Sequence, residues 1–270
     1  MRNKNHLRIA VCECDTVWEN AEATISALDA PVRAFCAARK PDLLIFPETF
    51  SVGFSMNPEV SEQPDGFSAT WLRRLSAETG VAVIGSIPIL DKAADGTPRR
   101  FNRCHFVTPD GTERHYDKRH LFNISGEGAA YTPGSERCTV PFKGWNIELN
   151  VCYDLRFPAW SRNDDLRYDL LVNIANWPAP RIPQADVLIR ARAIENSCYA
   201  LFCNRVGEDT TCIYNGHSAV FNFFGQKISR RSTFEGVNFL TAHLSKNALE
   251  HYRTKFPAWK DADKIEILTK

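Results

Sequence analysis

Strand-like runs recur along the chain at Leu7–Cys14, Asp42–Phe46, Val81–Ile87, Phe101–Thr108, Thr112–Tyr116, Ile147–Tyr153, Asp169–Ile174, Tyr199–Asn204, His217–Asn222 and Val237–His243. Each is short and bounded by polar or turn residues, the pattern of buried strands. Helical spacing lies between several of them. Trp18, Ile25, Leu28, Val32 and Phe35 recur at the helical spacings of seven, three, four and three ahead of Pro41, and Pro31 is expected to kink or split that helix. A second helix is predicted over Ala69–Thr79, stopped by Gly80, and a third over Pro183–Asn196, with proline at its start.

Strands and helices alternate through Thr79 and again from Asp154 to Asn204, which argues for an α/β fold. The middle and end instead hold adjacent strands joined by turns such as Thr108-Pro109-Asp110-Gly111 and Phe224-Gly225, so mixed sheets are expected. The pair Arg230-Arg231 reads as a solvated turn. No linker, repeat or low-complexity segment divides residues 1–270, which are taken as one domain.

Composition narrows the function. A hydrophobic fraction of 44% in 270 residues is ample for a core. Lys plus Arg at 33 against Asp plus Glu at 32 leaves no overall field for nucleic acid or an acidic membrane, so a small-molecule substrate is expected. The basic start MRNKNHLRIAVCECD is too short in apolar residues for a signal segment, and no run approaches the roughly 18 needed to span a bilayer. A cytoplasmic protein is expected. Nine cysteines, several in apolar strands, fit reduced thiols better than a disulfide framework. Cys12-Glu13-Cys14 closes no C-x-x-C loop and no second Cys/His pair stands at zinc spacing, so it reads as a buried first strand and no metal is expected.

The candidate chemistry begins at Cys152, where the strand in IELNVCYDLRFP breaks into a polar turn. A thiol at a strand exit is where a nucleophile would be displayed, but with an ordinary pKa near 8.5 it needs a base or a cation beside it. Glu48 in F-P-E-T-F and Lys118 in Y-D-K-R-H-L-F also stand at strand ends. That ordered set resembles the nitrilase superfamily of carbon-nitrogen hydrolases. Further matches are Gly126-Glu127 with Pro133-Gly134, Asn173-Ile174-Ala175-Asn176-Trp177-Pro178, Ala191–Asn196, Asn204-Arg205-Val206-Gly207 and Gly216-His217-Ser218. Together with Lys255-Phe256-Pro257-Ala258-Trp259 and Asp261-Ala262-Asp263, they are most similar to the ω-amidase branch.

The resemblance implies a four-layer α-β-β-α sandwich, a homodimer, and cysteine-dependent hydrolysis of a linear amide with no cofactor. It assigns Cys152 as nucleophile, Glu48 as proton carrier, and Lys118 with the Tyr153 backbone N–H as holders of the oxyanion. Glu127 matches an additional site glutamate. An ω-amidase cleaves a short dicarboxylate monoamide such as 2-oxoglutaramate or 2-oxosuccinamate. Arg181 is the candidate anchor for the remote carboxylate, with Phe54, Phe122 and Trp177 as a small apolar wall. An N-carbamoyl-amino-acid or other aliphatic amidase of the superfamily would share this catalytic set, and a non-catalytic binding homologue or a redox-sensing thiol would share the fold. Outside the set, Arg192 and Glu195 are expected to form a structural ion pair, His120 to stand near the site, and Asn204–Gly207 to fix a nearby loop.

Overall fold

The computed structural model describes residues 5–93 and 95–268. Arg2 and Lys4 of the basic start lie outside them.

Fourteen strands are described: β1 His6–Glu13, β2 Leu43–Ile45, β3 Ala82–Lys92, β4 Pro98–Val107, β5 Glu113–Asp117, β6 Thr139–Phe142, β7 Trp145–Val151, β8 Leu170–Ala175, β9 Tyr199–Asn204, β10 Val206–Glu208, β11 Ile213–Asn215, β12 Ala219–Phe221, β13 Arg230–Phe234 and β14 Val237–Ser245. One sheet has seven strands in the order β13-β14-β1-β2-β3-β4-β5, and a second has five in the order β12-β9-β8-β7-β6. At the centre of the first, β1, β2 and β3 run parallel, as do β7, β8 and β9 in the second. Crossovers place helices over the outer faces, as parallel strands require.

Alternation along the strands sorts side chains into layers. Ile9, Leu43, Ile84 and Phe106 of the larger sheet meet Ile147, Leu149, Val172 and Leu201 of the smaller in one core between the sheets. The opposite face of the larger sheet, with Ala10, Leu44 and Val83, packs against α1 (Ala21–Arg39) and α2 (Phe67–Thr79). On the smaller sheet, Leu171, Ala200 and Phe202 pack against Ala185, Ile189 and Ala193 of a helix at Ile182–Glu195. Three apolar interfaces make four layers, α-β-β-α.

Two expectations are corrected. Helix α1 is not split: it runs unbroken for 19 residues through Pro31. Its buried residues Ile25, Leu28, Val32 and Phe35 bracket the proline and hold both halves to one sheet face, which outweighs one missing backbone hydrogen bond. Arg230 and Arg231 form no turn; they begin edge strand β13, and Arg231 reaches the buried Glu13 carboxylate at 2.6 Å. Cys12 is buried in β1 and Cys14 is buried directly after it, and all nine cysteines are free.

Candidate active site

The thiol owes its position to a strained elbow. After β7 ends at Val151, Cys152 takes φ of +47°, in the left-handed region that costs an L side chain about 1–2 kcal/mol. The chain then enters a tight helical turn, Cys152–Arg156. Asp154 secures the bend by accepting from the Val151 backbone N–H at 2.9 Å.

Three charged groups gather beside the elbow. Glu48 leaves the end of β2, Lys118 directly follows β5, and Glu127 opens a one-turn helix, α3 (Glu127–Ala130). All three are fully buried. Lys118 Nζ donates to Glu48 Oε1 at 2.8 Å and to Glu127 at 2.8 and 3.0 Å. Asn102 Nδ2 also reaches Glu48 Oε1 at 2.8 Å, and the Asn176 backbone N–H donates to Oε2 at 2.9 Å. Glu127 takes two more bonds, from the Phe122 backbone N–H at 2.6 Å and from Asn102 Nδ2 at 3.3 Å.

The electrostatics follow from this crowding. Burial alone would lower the Lys118 pKa, but Glu127 and then Glu48 outweigh it and hold the ammonium well above its ordinary range. Lys118 is therefore a fixed cation. Burial raises Glu127, with Glu48 adding to the rise and Lys118 opposing it. Burial, then the Glu48 charge, push the Cys152 thiol well above its ordinary value despite Lys118. The resting sulfur is a thiol, and its proton must leave during attack.

A cavity of about 100 Å³ opens over Cys152. Phe54, Phe122, Tyr153 and Trp177 form its apolar side, and Arg156 and Arg181 bring two guanidiniums to its wall. The hairpin of β10 and β11 contributes Asp209, Thr211, Cys212 and Tyr214. Arg181 lies 5.2 Å from the Phe122 ring centre and Arg156 4.9 Å from that of Trp177.

The sequence profile of the carbon-nitrogen hydrolase family matches residues 8–254. The chain belongs to that family. It is 38% identical over 263 residues to an omega-amidase, YafV, of Yersinia enterocolitica, covering 97% of this chain and 99% of the relative. The omega-amidase YafV of Escherichia coli K12 is 37% identical over 262 residues, 97% of this chain and 98% of the relative. Among solved structures, a CN-hydrolase superfamily protein of Xanthomonas campestris is 38% identical with a TM-score of 0.87, covering 97% of this chain and 99% of that one. This carbon-nitrogen hydrolase cleaves C–N bonds other than peptide bonds, as a cysteine-dependent amidase.

The structure brings Glu48, Lys118, Glu127 and Cys152 together, and Tyr153, Phe54, Phe122, Trp177 and Arg181 all line the cavity above them. Arg192 pairs with Glu195 at 2.8 Å and also donates to the Leu155 carbonyl at 2.7 Å, bracing the turn after the thiol. Asn204 exchanges two bonds with the Trp177 backbone, at 2.7 and 2.9 Å, so it supports the wall without lining it. Pro133-Gly134 has a steric reason: a Cβ on Gly134 would lie 2.1 Å from the carbonyl oxygen of Asp117, the residue before Lys118.

Four residues escaped the sequence reading as site residues. Arg156 and Asp154 sat unremarked within C-Y-D-L-R-F-P, and Asn176 within the N-W-P motif. Asn102 had no signal, since only the pairing of β4 beside β3 carries it to Glu48. Elsewhere, His105, Glu113 and His115 place possible ligand atoms within 4.8 Å of one another. Arg73 already pairs with Glu113 at 2.8 Å and His105 Nδ1 lies 2.7 Å from it, so protein groups already neutralise that carboxylate.

Proposed function

We propose that this chain is an ω-amidase, hydrolysing the terminal amide of a short dicarboxylate monoamide of the 2-oxoglutaramate or 2-oxosuccinamate type. The observation that carries the reading is a thiol beside a Glu–Lys–Glu cluster, at the floor of a small cavity whose wall holds two guanidiniums. A short aliphatic chain fits such a cavity. The guanidinium of Arg181 makes no hydrogen bond or ion pair among the described residues, and that of Arg156 holds only Gln184 at 2.5 Å. Either can take a remote carboxylate. The omega-amidase relatives, and a 2-oxoglutaramate amidase of Bacillus subtilis that is 28% identical over 231 residues, support the same substrate class.

In this mechanism the Cys152 sulfur attacks the amide carbon as Glu48 takes the thiol proton. The carbonyl electron pair moves onto oxygen, where the Lys118 ammonium and the Tyr153 backbone N–H hold it. When the tetrahedral adduct collapses, Glu48 returns the proton to the departing nitrogen, ammonia leaves and a thioester remains. Glu48 then takes a proton from water; the hydroxide adds to the thioester, and collapse expels the sulfur, which regains its proton. Glu127 keeps Lys118 charged and placed. No step calls for a metal or organic cofactor.

The reading takes residues 1–270 as one domain acting in the cytoplasm as a homodimer. Core residues drawn from Leu7 to Leu249 support the single domain, and the exposed Phe224 and Phe256 support self-association. Among the described residues no helix is long and apolar enough to cross a membrane.

Ammonia release over 2-oxoglutaramate, 2-oxosuccinamate, succinamate, glutamine, asparagine and N-carbamoyl amino acids tests the proposal. Turnover led by the dicarboxylate monoamides supports it. Preference for N-carbamoyl amino acids would replace it with the other amidase specificity, and ammonia from none of them would favour a binding homologue.

A further inference from the structure

The thiol and its partners belong to different sheets. Cys152 follows β7 of the five-stranded sheet, whereas Glu48 follows β2 and Lys118 follows β5 of the seven-stranded one. Acyl transfer tolerates little error in that meeting, since a displacement of about 1 Å can cost about 10²-fold in rate. On the glutamate side the two sheets are tied by Asn176, which leaves β8 and binds Glu48 through its backbone N–H and Thr49 Oγ1 through its side chain at 2.8 Å.

The lysine side has a second tie. Asp154, two residues past the thiol and fully buried, accepts four hydrogen bonds. Its Oδ2 takes the Val151 N–H at 2.9 Å, inside the elbow, and the Tyr116 hydroxyl at 2.7 Å, two residues before Lys118. Its Oδ1 takes the backbone N–H and the Nδ1 of His120, two residues after Lys118, at 2.9 and 2.8 Å. The far ends are themselves fixed: Trp160 Nε1 donates to the Tyr116 hydroxyl at 2.9 Å, and the His120 ring stacks on Phe157 at 3.7 Å. One carboxylate thus grips the chain on both sides of Lys118 and the elbow that presents Cys152.

We propose that Asp154 is a positioning residue for hydrolysis, holding the Lys118 ammonium at its working distance from the Cys152 sulfur. It touches neither substrate nor sulfur in this role. The inference rests on the assignment of Lys118 as the oxyanion's cation and Cys152 as the nucleophile.

Asparagine is the informative replacement because it keeps the volume and cannot keep the bonds. Whichever way its amide is turned, its NH₂ faces a backbone N–H, that of Val151 or that of His120. The experiment measures kcat and KM on succinamate for Asp154→Asn, Lys118→Met and the double variant, normalised to folded protein by circular dichroism. Asp154→Asn should lower kcat by about 10- to 100-fold with KM within about threefold, and should add little to the loss in the Lys118→Met background. Tyr116→Phe, which removes one hydroxyl from the tie, should show the same split at smaller size and keeps the test open if Asp154→Asn does not fold. Unchanged kcat in either variant, or a loss fully additive with Lys118→Met, would overturn the inference. Near-normal turnover by Lys118→Met would instead sink the lysine assignment beneath it.

Discussion

The Asn176 backbone N–H donates to Oε2 of Glu48 at 2.9 Å and is the sole protein donor on that oxygen among the described residues. Oε1 is occupied by Lys118 and Asn102, both at 2.8 Å. A carboxylate offers about four lone-pair sites, so the one left for an incoming proton lies on Oε2. In the proposed mechanism the thiol proton is therefore taken up on Oε2. Cys152 Sγ, 4.0 Å from the Asn176 carbonyl oxygen, stands beside the residue that donates to it.

Replacing Glu48 with glutamine separates the two ways that it acts on the thiol. Turnover should fall by about 10² or more, because the proton carrier is gone. The resting thiol should nevertheless become easier to ionise: the Glu48 charge raises its pKa, and removal leaves Lys118 less opposed. Iodoacetamide alkylation across pH should show a midpoint lower in Glu48→Gln than in wild type. A midpoint that stayed or rose would mean that Glu48 does not face the thiol as a charge.

Lys118→Met should depress kcat by about 10² or more, as expected for loss of an oxyanion donor. Glu127→Gln should cost less, since it leaves the lysine paired with Glu48. Single-turnover assays would check the order of these losses, and a Glu127→Gln loss exceeding that of Lys118→Met would reverse their assigned weights.

The clustered Glu48, Lys118 and Cys152 were legible because each sits in a short motif at a strand exit: F-P-E and N-V-C end apolar runs, and Y-D-K closes the polar strand β5. The layered fold was legible from the same runs. Less legible were the short strands β6, β10, β11 and β13, whose patterns are too brief or too polar to stand out. Pro31 misled because local propensity penalises a proline that tertiary packing tolerates. Asn102 and Asp154 were silent for another reason: Asn102 matters through Glu48, 54 residues away, and Asp154 through Tyr116 and His120, 38 and 34 residues away, meetings set by strand register and loop return and not by sequence neighbours.

Specificity is tested by the two guanidiniums. Arg181→Ala and Arg156→Ala should each be assayed on succinamate and on an uncharged aliphatic amide. The anchor should lose about 10- to 150-fold on the charged substrate, the worth of a charge-assisted hydrogen bond, and little on the neutral one. Equal losses on both substrates would show that the arginine supports the wall through its aromatic contact.

Pro31 offers a check on the fold. Alanine there restores a donor within an already continuous helix, and alanine is favoured over proline in helix interiors by about 3 kcal/mol before unfolded-state effects. Pro31→Ala should raise Tm by a few degrees with activity unchanged. A lower Tm would mean that the ring packs productively where it stands.

The central claim is that Cys152 carries the acyl group. Wild-type enzyme mixed with succinamate, quenched in acid within the first turnovers and weighed intact, should show a fraction heavier by one succinyl group, mapping to the peptide that contains Cys152. Cys152→Ala should show no adduct and less than about a thousandth of wild-type ammonia release while remaining folded. An adduct on any other residue, or turnover by folded Cys152→Ala above that level, would contradict covalent catalysis at this thiol.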